Sequence, residues 1–170
     1  MFDDGKLRVH LQRNGALRGV WRRENDAWRR LSGAVYLKAR GEKTYDQASD
    51  VEPIATLSRD VDGSLRLSFD GVLRNIRRTG KMPDGTSYHT VCTLDGNTGA
   101  VIETSFKTDA ASKGAETVLT MEALDDGVKQ TITGENTPER LVRGGAGGLK
   151  WAGRPGVCGG AVFLFPHGRP

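Results

Sequence analysis

The sequence predicts an all-β fold: a single-domain antiparallel meander that closes into a barrel or a two-layer sandwich and carries a Gly-rich C-terminal arm. Three observations predict it. Seven Asp-Gly or Asn-Gly dipeptides punctuate the chain, at Asp4-Gly5, Asn14-Gly15, Asp62-Gly63, Asp70-Gly71, Asp84-Gly85, Asp95-Gly96 and Asp126-Gly127, and these residues tolerate the positive φ of tight hairpin loops. Between them lie short segments in which apolar and polar residues alternate with the period of two of a half-buried strand. The connections are short, so neighbouring strands run antiparallel; closing the sheet would remove its edges, which favours the barrel.

Leu7, Val9 and Leu11 alternate with Arg8, His10 and Gln12, and Asn14-Gly15 turns the chain into a second strand through Leu17, Gly19 and Trp21. Trp21-Arg22-Arg23 and Trp28-Arg29-Arg30 flank Glu24-Asn25-Asp26-Ala27, which reads as a four-residue loop. The next strand continues to Leu37, with Leu31, Gly33, Val35 and Leu37 on one face, and the polar residues 40–52 read as a loop. Strands at 54–59, 65–69 and 72–77 follow, with turns at Asp62-Gly63 and Asp70-Gly71. Tyr88, Thr90, Cys92 and Leu94 are expected to face the core and His89 the solvent, ahead of a strand through Ala100, Ile102, Thr104 and Phe106. Residues 115–124 read as a strand paired with 128–133 across Asp125-Asp126-Gly127. Thr137-Pro138-Glu139-Arg140 suits a short helix, with Thr137 as cap and Pro138 in the first turn.

Residues 1–143 form the antiparallel domain in this reading, and 144–170 are the Gly-rich arm and terminal apolar strand of the same domain. Eight glycines fall within 144–160, which marks a loop or arm. Ala161-Val162-Phe163-Leu164-Phe165 is too apolar to leave in water, so it is a buried strand or a segment docked on another subunit.

No stretch approaches the roughly 20 apolar residues of a membrane helix, and 6% aromatic content is too little for the girdles of an outer-membrane barrel. The first residues lack a signal-peptide layout. A soluble, intracellular or virion-associated protein is therefore expected. Cys92 and Cys158 are read as free thiols, no His/Cys spacing suggests a metal site, and no cofactor is expected. Residues 143–150 lack the order of a phosphate-binding loop.

The net charge of +4 is unevenly spread: residues 1–40 hold ten Lys/Arg against four Asp/Glu, and the remainder fifteen against seventeen. In the first hairpins Trp21 and Trp28 stand among Arg18, Arg22, Arg23, Arg29 and Arg30. Such interleaving suits a polyanion or nucleic acid, with guanidiniums on phosphates and indoles under bases. Arginine stacked on indole by cation–π attraction gives the same pattern without a ligand.

Arg154-Pro155-Gly156-Val157-Cys158-Gly159-Gly160 resembles the nucleophile box of the chymotrypsin-like cysteine proteases of small RNA viruses. That resemblance implies Cys158 as nucleophile, backbone amides of the glycines as an oxyanion hole, His89 as candidate base and Asp109 as its orienting acid. The same residues also fit a cysteine in a glycine-rich loop entering a buried strand. Gly19-Val20-Trp21 is similar to the G-x-W of lipocalins, which implies a small barrel around an apolar ligand. A cavity of that kind would be lined by residues such as Leu67, Phe69, Ile102, Phe106, Leu119 and Met121, unless those side chains fill it themselves.

The expected function is therefore non-enzymatic: a β module that binds or assembles, either a self-associating structural subunit whose C-terminal arm packs on a neighbour or a barrel holding a small apolar ligand. A cysteine peptidase built on Cys158 and a polyanion binder built on residues 18–30 are the alternatives.

Overall fold

The computed structural model describes residues 1–40, 44–75, 86–97, 99–107, 116–121, 129–133, 142–144, 148–150 and 158–167. In chain order the strands are β1 (Phe2–Asp3), β2 (Leu7–Leu11), β3 (Leu17–Glu24), β4 (Ala27–Ser32), β5 (Val35–Arg40), β6 (Thr44–Asp46), β7 (Ile54–Arg59) and β8 (Leu65–Val72). They continue with β9 (Arg74–Asn75), β10 (Ser87–Asp95), β11 (Gly99–Lys107), β12 (Glu116–Met121), β13 (Lys129–Thr133), β14 (Val142–Gly144), β15 (Gly148–Lys150) and β16 (Cys158–Pro166). No α-helix occurs among the described residues.

The strands form two antiparallel sheets. The larger runs β1-β2-β3-β5-β12-β15-β14, with β4 on β3 and β6 linking β5 to β9, and the smaller runs β13-β16-β11-β10-β8-β7. One of them curls into a half-barrel. Both contribute to a single core, in which Leu7, Val20 and Leu37 of the larger sheet meet Cys92, Ile102 and Phe163 of the smaller. The described residues thus form two layers around one core of their own side chains.

Alternation produces this arrangement directly. Tyr88, Thr90, Cys92 and Leu94 are buried while His89 is exposed. Tyr88 pairs with Phe106, Thr90 with Thr104 and Cys92 with Ile102, so one face of the β10–β11 hairpin is inward along its length. The terminal apolar segment lies within β16, between β11 and β13, and Phe163 and Phe165 are both 0% exposed. Each fully buried ring contributes about 2 to 3 kcal/mol of transfer free energy.

Turn chemistry divides into two kinds. Asn14-Gly15 and Asp62-Gly63 end five-residue turns of one design. Gln12 N donates to Ala16 O and Gly15 N to Gln12 O; Asp60 N donates to Ser64 O and Gly63 N to Asp60 O. In each, the Asx Oδ1 accepts the amide two residues on, and the glycine alone is left-handed, at φ +76° and +87°. This is the three-residue hairpin loop rather than the two-residue one. The two-residue loop occurs instead at Asn25-Asp26, both left-handed at φ 48° and 63°, with Glu24 paired to Ala27; the four-residue loop expected there is half that length.

Four further departures from the sequence expectations have local causes. Asp70-Gly71 lies inside β8 and pairs with Tyr88 and His89, because Gly71 is needed for close packing rather than for turning. The strand expected to run on to Leu37 breaks between Ser32 and Val35, where the Ser32 hydroxyl donates to Gly33 O at 3.0 Å. Residues 44–50, expected in a loop, form β6 and a 3-10 turn at Gln47–Ser49 capped by the Asp46 carboxylate. Finally, β12 pairs with β5 and β15 in the larger sheet while β13 pairs with β16 in the smaller. The expected hairpin is instead a passage between sheets. Residues 137–140 and much of the Gly-rich arm lie outside the described residues; within the arm, β15 pairs with β12 and β14.

Candidate functional site

The two sheets do not end together. β7 is the last strand of the smaller sheet, with no strand on its outer side among the described residues, and all six of its residues are exposed. Opposite, the larger sheet ends in the two-residue β1. Leu57 pairs with Leu67, and Ala55 with the buried Phe69, so Leu57 belongs to the inward face. Yet it remains 66% exposed, because among the described residues nothing from the larger sheet covers it.

The uncovered margin is a groove of about 350 Å³, within the range of small-molecule sites. Its walls are Phe2, Val9 and Leu11 on one side and Leu65, Leu67 and Phe69 on the other, with Leu94 behind and Met1 and Leu57 at the mouth. Gln12 and Arg13 stand at its rim. The turn carrying them is held firmly. Asn14 donates to Ala48 O and Asp50 O at 3.0 and 3.1 Å, and a β-carbon on Gly15 would lie 2.7 Å from Phe69 Cδ2.

Behind the groove, buried polar groups tie the sheets together. Gln47 Nε2 donates to Asn14 O and Thr90 Oγ1, both at 2.9 Å, while its Oε1 accepts from Leu37 N at 3.2 Å. Asp50 receives Arg74 Nε at 2.9 Å, the Tyr88 hydroxyl at 3.0 Å and Val72 N at 3.3 Å. The hydrogen bond to Asp50 pushes the Arg74 guanidinium up from its ordinary value. Burial first, and the Asp50 charge second, push the Tyr88 phenol far up. These groups satisfy one another, a structural use of buried polarity.

The basic hairpin forms a self-engaged face. Trp21 lies back over its own strand, so that a β-carbon on Gly19 would sit 2.6 Å from Trp21 Cη2. The Arg30 guanidinium lies 5.7 Å from the Trp21 ring and that of Arg8 lies 4.2 Å from the Trp28 ring. Arg22 and Arg29 pair with Glu24, and Arg23 with Asp26. Arg18 is exposed beside them. Cation–π stacking and acidic partners thus account for this pattern within the chain itself.

The residues of the peptidase resemblance are distributed as follows. His89 is exposed on β10, and its Nδ1 is 2.7 Å from Asp70 Oδ1. Cys158 opens β16 opposite Lys107, two strand spacings from β10, about 10 Å in backbone terms. Asp109 lies outside the described residues. Cys92 is a free, buried thiol whose pKa burial has pushed up to about 12, so it is not nucleophilic near neutral pH. Among the described residues no group of His, Cys, Asp or Glu is arranged to hold a metal ion, and no helix is long and apolar enough to cross a membrane.

Of the cavity lining expected from the sequence, Leu67 and Phe69 border the groove, while Ile102 and Phe106 are buried in the core. Alternation marks inward-facing residues, but it carries no signal for which of them the opposite sheet leaves uncovered. Met1, Phe2 and Leu57 were therefore invisible as site residues, as was Arg13 in an ordinary turn. No protein-family model, curated protein or solved structure matches this chain.

Proposed function

We propose that the protein is a non-enzymatic binding module that holds a small apolar molecule in the groove between its two sheets. The observation that carries this reading is the apolar groove of about 350 Å³ at the open margin of the sandwich. Its walls are strands backed by the packed core, with Val9, Phe69 and Leu94 themselves buried. A preformed site loses little conformational freedom on binding, which leaves more of the burial free energy as affinity. Titration with the neutral fluorophore phenylnaphthylamine should give saturable enhancement, and Leu57→Glu, an exposed change at the mouth, should weaken it several-fold. Absence of saturable binding to the native protein refutes the reading.

Assembly is the second reading, and the edge of β7 favours it. This strand contains no Lys, Pro or bulge and exposes Ile54 and Leu57, so it offers a second copy a ladder to extend. An assembly contact through the terminal strand would need β16 to part from β11 or β13. Sedimentation should then show a native oligomer that Thr56→Pro dissociates; a native monomer at all concentrations excludes this reading.

A further inference from the structure

We infer that the groove takes a single-chain amphiphile with an anionic head group, its tail between β2 and β8 and its head on Arg13. The inference rests on the groove reading above and adds the class of ligand.

Arg13 is the only charged side chain among the described residues that line the groove. It is exposed at the rim, whereas the wall residues from β1, β2, β7, β8 and β10 are hydrocarbon or aromatic. The salt bridges of the described residues engage Arg8, Arg22, Arg23, Arg29 and Arg74 but not Arg13. Its neighbour Gln12 places its side-chain amide against Arg18. Among the described side chains, Arg13 is thus the cation left to meet a ligand at this mouth.

The turn that carries it is also fixed. The amides of Gln12 and Gly15 close the turn, the Asn14 side chain anchors it to Ala48 and Asp50, and Gly15 is pressed against Phe69, a groove wall. The turn therefore holds the Arg13 backbone beside the apolar surface, with the guanidinium on its own stem within reach of the groove mouth. A guanidinium offers paired N–H donors that match the two oxygens of a carboxylate or the oxygens of a sulfate or phosphate monoester. An apolar tail ending in such a head satisfies both features at once; a fully apolar ligand would leave Arg13 unused, and a cationic amphiphile would meet a like charge.

Three ligands with one tail separate the possibilities: decanoate, decanol and decylammonium, each titrated into the full chain by displacement of phenylnaphthylamine. Decanoate should bind about five-fold more tightly than decanol, and decylammonium more weakly than either. Arg13→Gln should abolish the preference for decanoate over decanol, and added salt should reduce the decanoate advantage. Equal affinity for the three ligands, or a preference that survives Arg13→Gln, overturns the head-group assignment while the groove reading stands. Failure of all three to displace the fluorophore from a protein that binds it also overturns the amphiphile assignment. If the fluorophore itself does not bind, both readings fall.

Discussion

Gly71 and Tyr88 are cross-strand partners in which the tyrosine side chain lies over the glycine, so that a β-carbon on Gly71 would lie 2.5 Å from the Tyr88 hydroxyl oxygen, and closer still to the Asp50 carboxylate. The atoms it would strike belong to a buried, mutually hydrogen-bonded cluster, so they cannot move aside cheaply. Gly71→Ala should destabilise the protein by about 2 to 4 kcal/mol in urea unfolding. Gly96→Ala, where no atom stands within 4 Å, should change stability by less than about 1 kcal/mol. Similar losses at the two positions would contradict this account of Gly71.

Removing the Asp50 carboxylate should cost more than removing any one of its partners. Asp50→Ala leaves the nearly buried Arg74 with only the exposed carboxylate of Glu52 as a partner and strands the Tyr88 hydroxyl. The expected loss is about 3 to 5 kcal/mol, against about 1 to 2 kcal/mol for Tyr88→Phe, which deletes one hydrogen bond. Chemical denaturation of the two variants decides it, and a smaller loss for Asp50→Ala refutes the ordering.

Gln47 joins three backbone or hydroxyl groups from both sheets. Gln47→Leu keeps bulk but leaves Leu37 N, Asn14 O and Thr90 Oγ1 short of a partner, at a cost of about 2 to 4 kcal/mol. Hydrogen exchange at the Leu37 amide should accelerate more than at amides in the β10–β11 ladder. Unchanged protection at Leu37 would refute its dependence on Gln47.

Stability should decline on the alkaline side. The unfolded Cys92 thiol ionises near 9.0, while the folded one keeps its proton to about 12. Between those values the unfolded state binds fewer protons, so stability falls as pH rises. Tyr88, pushed up from 10.0 by burial, adds the same sign above that value. The urea midpoint should fall from about pH 9 upward, and Cys92→Ala should flatten the fall; identical slopes would refute the assignment. For the same reason native Cys92 should resist alkylation at neutral pH.

Gly19 lets Trp21 lie against its own strand, where Arg30 approaches the ring. In a Trp28→Phe, Trp151→Phe background, Gly19→Val should displace the indole into solvent and shift its emission to the red. An unchanged spectrum would mean that Trp21 rests elsewhere.

Strand positions and inward faces were legible because alternation is local: residues 88–94 and 100–106 carry their burial pattern in their own order. Turn sites were legible as well, although Asp-Gly marks the left-handed glycine of a three-residue loop as readily as a two-residue turn. Asp70-Gly71 was misread because a glycine required by a distant carboxylate looks, in one dimension, like one required by a turn. The polar run 44–50 was misread for a related reason, since Gln47 and Asp50 are buried against partners more than twenty residues distant, such as Thr90 and Arg74.

By itself, then, the amino-acid order determined that this chain is an antiparallel β protein whose segment 161–165 must leave water, since periodicity and turn chemistry act within a few residues. Only the tertiary structure decided that β12 and β13 part to different sheets and that the sandwich stays open at Leu57. It also placed Arg13 beside the resulting groove. Each depends on where one sheet ends against the other, a relation between distant segments that no local pattern encodes.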